Sequence, residues 1–249
     1  MMRTANPALN DKIFEGFGRV MDRDRTMSIQ GTVNKTVLLL AILLLAAAWT
    51  WRLSYTAKDP GVVAPWIWGG AVGGFLAGLI TVFKKNWASV TGPVYAVLEG
   101  LLLGGLSAML EVRYPGIVIQ AVALTFGSLF GLLMAYKSGL IKATQNFRLG
   151  VFAATMGIGL VYLATLALGL FGIPMPYIHE SGAVGIAFSL FVVIVAALNL
   201  VLDFDFIEKG AAQGAPDYME WYAAFGLMVT LIWLYIEILR LLAKMRSRR

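Results

Sequence analysis

Seven long apolar runs, separated by short polar segments, dominate the chain. The runs cover residues 36–55, 62–83, 91–110, 116–136, 149–171, 182–202 and 222–242. A helix needs about 20 apolar residues to cross the hydrocarbon core of a bilayer, and each run is close to that length. The runs are continuous rather than alternating in polarity, which favours helices over the strands of a membrane barrel. The pattern therefore predicts an all-α, polytopic membrane protein with seven transmembrane helices.

Polar residues are concentrated before the first run and in the short connections. We predict a polar N-terminal tail over residues 1–35 and a transmembrane domain over residues 36–249. A short helix over residues 11–21 is expected to lie on the membrane surface, and the single histidine, His179, is expected in a solvated outer loop. The connections leave no room for a further domain.

The composition agrees with this picture and excludes several kinds of site. Hydrophobic residues make up 59% of the chain and charged residues 14%, against about a quarter charged in soluble domains. The absence of cysteine and the single histidine exclude disulfides, thiolate chemistry and a multi-histidine metal centre. No hydrolase motif such as a Ser–Lys pair stands out. We therefore expect neither an enzyme nor a bound cofactor.

Basic residues predict the orientation in the membrane. Eleven of them lie in the tail and in the second and fourth connections, against three in the first and third connections. This asymmetry predicts a cytoplasmic N-terminus, and it explains the net charge of +6 without nucleic acid. The end of the chain conflicts with it. A full seventh crossing places Arg240 and the basic residues after it outside, whereas an incomplete crossing keeps them inside, and the sequence leaves both open.

Glycines four residues apart recur in three of the runs and predict close packing of helices. They are Gly70, Gly74 and Gly78, Gly100 and Gly104, and Gly127 and Gly131. A glycine-lined pore wall is the alternative.

Three carboxylates within or at the end of the runs are the candidate functional groups. They are Glu99, Asp203 and Glu237. A charged group at membrane depth costs at least about 2.5 kcal/mol, so each needs a specific environment. Asn199 precedes Asp203 by four residues and therefore shares its helix face.

Other environments are open for these acids. Asp203 and Asp205 could be solvated where the sixth helix leaves the membrane, and Glu237 could pair with Arg240, three residues later. Glu99 has no cation nearby in sequence, so we expect it to be protonated, bonded to a neighbouring helix or in a wet cavity. If Asp203 and Glu237 meet, like-charge repulsion would make them share a proton at low pH and hold a hard cation such as calcium at higher pH.

The segments around these acids resemble the Bax inhibitor family of membrane proteins. Residues 202–207 (Leu-Asp-Phe-Asp-Phe-Ile) resemble the end of that family's sixth span. Residues 234–237 (Leu-Tyr-Ile-Glu) resemble its last span, with glutamate in place of the family's aspartate. Residues 98–104 resemble a third signature, and Lys84 and Lys85 stand where the family has basic residues. The charged tail and residues 31–36 resemble a bacterial branch of the family.

The resemblance implies six helices around a central seventh and a pH-sensitive calcium leak in a bacterial inner membrane. Asp203 and Glu237 would be the pH sensor and the candidate calcium ligands, with Lys84, Lys85 and Arg240 as basic partners in the closed state. Asp205, Glu99 and Asn199 are further candidates along the ion pathway. The expected partners are the lipid bilayer, calcium ions and protons.

A non-conducting regulator that binds other membrane proteins, such as a membrane protease, is the alternative function. Its activity would depend on the N-terminal tail rather than on the carboxylates. A proton-coupled transporter is a weaker alternative, because the chain shows no internal repeat of the kind typical of transporters.

Overall fold

The computed structural model describes residues 26–57, 60–172 and 180–248, and these residues form a helical protein. The predicted tail helix over residues 11–21 and His179 lie outside the described residues. Seven helices are long and apolar enough to cross a membrane, which confirms the predicted fold class. They are α1 Ile29–Thr56, α2 Ala64–Phe83, α3 Ala88–Arg113, α4 Ile117–Lys137, α5 Gln145–Leu170, α6 Ala183–Ala212 and α7 Tyr218–Ser247.

The first helix begins earlier than its apolar run predicts. Ser28 caps α1, because its side chain accepts a hydrogen bond from the backbone N–H of Gly31 at 2.9 Å. The hydroxyl of Thr32 donates to the carbonyl of Ser28 at 2.9 Å and so satisfies its polarity within the helix. Residues 29–35, which we predicted as part of the tail, are therefore helical.

The sixth helix also extends beyond its apolar run, by ten residues, to Ala212. Asp203 and Asp205 therefore lie inside α6 rather than at its end. Both side chains are buried, and the sequence-based alternative that they are solvated at a membrane exit is wrong.

The described residues form two compact units. The α1–α3 unit comprises residues 26–57, 60–115 and 206–228, and the α4–α5 unit comprises residues 116–172, 180–205 and 229–248. Both α6 and α7 contribute one part to each unit. The most buried apolar segment of the seven belongs to α7, at 61%, as expected for a helix that others surround.

Glycines bring the helices of the α1–α3 unit close together, as predicted. A Cβ atom built on Gly104 would collide with the carbonyl oxygen of Ala47 in α1, and one on Gly70 would lie 2.5 Å from the carbonyl oxygen of Leu98 in α3. The same spacing in α4 has a different environment. A Cβ atom on Gly127 or Gly131 meets nothing within 4 Å among the described residues, so the predicted packing role is wrong for these two.

Glu220, near the start of α7, joins that helix to the start of α1. One carboxylate oxygen accepts hydrogen bonds from the backbone N–H and the hydroxyl of Ser28, at 2.7 and 2.8 Å, and the other accepts one from Lys35. Gly31 is required here, because a Cβ atom at its position would overlap the Glu220 carboxylate. This clasp holds α1 at the end where the described chain begins.

The last part of α7 packs along α6 in the α4–α5 unit. Lys244 contacts Gly185 and Ser189, and the hydroxyl of Ser247 lies 2.5 Å from that of Ser181, so the end of α7 is level with the start of α6. This arrangement favours a full seventh crossing over an incomplete one.

We predict that Gly104→Ala destabilises the protein by about 1–3 kcal/mol, because the added methyl group forces α1 and α3 apart. Gly131→Ala is the matched control. Its methyl group enters open space, and alanine favours the helix by up to about 1 kcal/mol relative to glycine. Thermal unfolding of the purified variants in detergent measures both effects. Equal midpoints for the two variants would contradict the close contact at Gly104.

Candidate functional site

A buried ion pair joins α5 to α6 in the α4–α5 unit. Arg148 lies in the first turn of α5, after the N-cap Thr144, and its guanidinium donates to a carboxylate oxygen of Asp205. Both side chains are almost fully buried. Removing either partner would take away one half of a buried ion pair and leave the other charge in a low-dielectric environment without it.

Asp203 lies one half-turn before this ion pair and is 0% exposed. The predicted shared face with Asn199 is present. The amide nitrogen of Asn199 donates to the hydroxyl of Thr155 in α5 at 3.0 Å and to the carbonyl of Val195 at 2.8 Å. Asn199 thus connects α6 to α5 one turn from Asp203, and polar groups continue along this face of α6.

Glu237 belongs to a second buried polar cluster, formed by α5 and α7. One of its carboxylate oxygens accepts hydrogen bonds from the hydroxyl of Tyr162 and from Nη1 of Arg240, both at 2.9 Å. The same Arg240 nitrogen donates to the Tyr162 oxygen at 2.6 Å, which closes a three-membered ring of contacts. The local pair of Glu237 with Arg240, left open by the sequence, is therefore present.

The register of α6 and α7 separates Asp203 from Glu237. Lys244 is level with residues 185–189 of α6. The two helices are antiparallel, so Glu237, seven residues earlier, is level with roughly residue 194. Asp203 is about nine residues further along α6, a separation of about 14 Å along the helix axis. The predicted contact between the Asp203 and Glu237 carboxylates is therefore wrong. They also cannot bind one calcium ion, whose bonds to oxygen are about 2.3–2.6 Å long.

A buried lysine near the end of α7 contacts α6 in the α4–α5 unit. The ammonium of Lys244 donates to the hydroxyl of Ser189 at 2.9 Å and to the carbonyl of Gly185 at 3.1 Å. A Ser–Lys contact is a known arrangement for nucleophilic catalysis. Ser189 is only 1% exposed, however, so its hydroxyl is inaccessible to a substrate in this conformation, and the contact fits a structural anchor.

Glu99 lies apart from these clusters, in the α1–α3 unit. Its side chain forms a hydrogen bond with Tyr95, one turn earlier in α3. Gly74 of α2 makes room for the carboxylate, because a Cβ atom there would lie 2.7 Å from Oε1. Glu99 is thus nearly buried against a neighbouring helix, one of the environments that the sequence left open.

The described contacts of Lys84 and Lys85 are with aromatic rings. The ammonium of Lys84 lies 4.5 Å from the centre of the Trp87 ring, and that of Lys85 lies 5.8 Å from the Tyr222 ring. Their predicted role as closed-state partners of the carboxylates stays a prediction.

A protein-family comparison matches almost the whole chain. The family model described as Bax inhibitor 1 like covers residues 6–247. The chain belongs to this family. The resemblance inferred from short motifs is therefore confirmed across the transmembrane helices. No curated protein and no solved structure gave a significant match.

Sequence analysis missed three polar residues that complete the clusters of this Bax inhibitor family member. Arg148 and Lys244 were counted as basic residues of a connection and of the C-terminal tail, and Tyr162 was treated as part of an apolar run. A sequence signal exists for the two cations. Both are directly flanked by apolar residues in the sequence, Arg148 by Phe147 and Leu149, and Lys244 by Ala243 and Met245. No such signal marks Tyr162.

We predict that Arg148→Ala destabilises the protein by about 3–5 kcal/mol, because it removes one partner of the buried ion pair with Asp205. Arg113→Ala, which removes an exposed arginine at the end of α3, is the control and should change the stability by less than about 0.5 kcal/mol. Thermal unfolding in detergent distinguishes the two. A small effect of Arg148→Ala would show that the ion pair is not a major contribution to stability.

Proposed function

We propose that the protein is a pH-sensitive leak pathway for calcium and related cations, and that the acids of the α4–α5 unit are its ion- and proton-binding groups. One observation carries the proposal. Asp203, Asp205 and Glu237 are all less than a tenth exposed within one membrane-spanning unit. Ionisable groups at such depth are rare and mark ion or proton pathways. Membership of the Bax inhibitor 1 like family supports the same function.

The two arginines would hold this pathway closed. Asp205 is neutralised by Arg148, and Glu237 is neutralised by Arg240. A cation entering the α4–α5 unit is repelled by these guanidinium groups, and the carboxylates of Asp205 and Glu237 are already paired with them. Opening therefore requires at least one arginine to leave its acid. Arg240 is the better candidate, because it is over a third exposed, whereas Arg148 is almost fully buried.

Protons would act on the same contacts. Protonation of Glu237 would remove the negative charge that attracts Arg240 and leave the guanidinium with its hydrogen bond to the Tyr162 oxygen. The arginine is then released more easily, so acidification and ion binding compete for one carboxylate. In this mechanism the pH sensor is the cluster of Glu237, Arg240 and Tyr162, and Asp203 is a separate ion-binding position about nine residues further along α6.

We propose a bacterial inner membrane as the location, because the tail and residues 31–36 resemble a bacterial branch of the family, and a cytoplasmic N-terminus, because of the basic-residue asymmetry. The mechanism contains no covalent step and no cofactor.

We predict that Arg240→Gln increases the calcium leak of the purified protein in dye-loaded liposomes by about tenfold or more, since one positive charge in a cation path raises its barrier by more than about 1.4 kcal/mol. Glu237→Gln should flatten the dependence of the leak on pH, because the carboxylate of the proposed pH sensor is lost. Asp203→Asn should reduce the leak at every pH. Glu208→Gln, an exposed acid on the same helix as Asp203, is the matched control and should behave as the wild type.

A flux no greater than that of empty liposomes at any pH, for both the wild type and Arg240→Gln, would rule out the leak. The alternative, a non-conducting regulator that binds a membrane protease or another membrane protein, would then be preferred. Its test is a truncation that begins the chain at Thr26, which keeps Ser28 and the clasp to Glu220 intact. Loss of partner capture with an unchanged unfolding midpoint would support the regulator.

A further inference from the structure

A groove with two lysines lies in the α1–α3 unit, where α2 ends and α3 begins. Its volume is about 630 Å³, and it is lined by Phe83, Lys84, Lys85, Asn86, Trp87 and Tyr218. No carboxylate is among these lining residues, so the groove carries two positive charges that the described lining does not neutralise. The position between two transmembrane helices corresponds to the membrane interface, where aromatic residues and lysines are typical.

We propose that this groove binds a phosphoryl group, and that its occupant is the headgroup of an anionic phospholipid. Lysine is a common point-charge partner of phosphate, and basic pockets between transmembrane helices bind anionic headgroups. Asn86 adds an amide donor. This site lies outside the polar clusters of the α4–α5 unit and does not depend on the proposed leak.

The aromatic rings explain why the lysines are available at this position. Trp87 lies under the ammonium of Lys84, and Tyr222 lies near that of Lys85, so within the described part of the chain each cation is held over a ring face and not by an acid. Such contacts orient an ammonium group and leave its N–H donors able to bind an anion.

The surroundings of the groove favour a lipid over a soluble phosphate. Phe83 is 81% exposed and Trp87 is half exposed, so apolar rings flank the two charges. Val90, one turn into α3, is also exposed and continues the apolar surface toward the membrane interior. An acyl chain attached to a bound headgroup would lie along this surface, whereas free phosphate would gain nothing from it.

The test compares lipid retention by native mass spectrometry of the full chain in detergent. The probes are phosphatidylglycerol and phosphatidylcholine with identical acyl chains. The wild type should retain phosphatidylglycerol preferentially, and Lys84→Gln/Lys85→Gln should weaken this retention by about tenfold or more, because each lysine contributes to headgroup attraction. Lys84→Arg/Lys85→Arg keeps both charges and should retain the lipid. The matched control is Lys137→Gln/Lys142→Gln, which removes two exposed lysines outside the groove.

Four outcomes decide the proposal. Phosphatidylglycerol preference that is lost only in the groove variant supports the lipid headgroup as the occupant. Displacement of the lipid by millimolar inorganic phosphate, or binding of phosphate alone, supports phosphoryl recognition but assigns the site to a soluble ligand. No headgroup preference, or an equal loss in the control variant, overturns the proposal. A preference that arises only after truncation to Thr26 also overturns it, because the N-terminal segment would then be the occupant.

Discussion

Neutralisation of charge inside a low-dielectric bundle determines how the α4–α5 unit is built. A carboxylate or a guanidinium in lipid is costly unless its partner is within hydrogen-bonding distance, so each buried charge fixes the position of another helix. Arg148 therefore sets α5 against α6, and Glu237 with Tyr162 sets α7 against α5. The polar contacts define the register of these helices, while the apolar contacts around Ile158, Val192 and Trp233 fill the space between them.

The α1–α3 unit uses a different solution to the same packing problem. Backbone contact at Gly100 and Gly104 replaces side-chain polarity as the means of holding α1 against α3. Close approach of backbones maximises van der Waals contact and requires no desolvation of charge. The exceptions are the contact of Glu220 with Lys35 and Ser28, and Glu99, which occupies a position where glycine in α2 leaves space for its carboxylate. The two units thus differ in how readily a proton or an ion could change them, because only the α4–α5 unit relies on several charged contacts.

The number of helices and the shared face of Asn199 and Asp203 could be predicted from the sequence, because both follow from the length and periodicity of an α-helix. The partner of each buried acid could not be predicted in this way, because it lies far away in the sequence. Arg148 and Asp205 are 57 residues apart, and nothing near either residue indicates which cation contacts which acid. The apolar pattern predicted that the sixth helix ends at Leu202, because Asp203 and Asp205 are polar residues. The structure buries both side chains inside a longer helix.

The spacing of glycines is also an ambiguous signal for helix packing. Gly127 and Gly131 repeat the pattern of Gly100 and Gly104 but meet no neighbour in the described chain.

The clasp at the start of α1 has a consequence for the order in which the protein is made. Ser28 and Glu220 are separated by 192 residues, so the first helix leaves the ribosome long before its acidic partner exists. During synthesis the N–H of Ser28 and the ammonium of Lys35 must be satisfied by water or lipid headgroups, and six helices are inserted before the seventh provides the carboxylate. The contact that secures the first helix is therefore among the last to form, and a chain truncated before α7 would lack the carboxylate that binds Ser28 and Lys35.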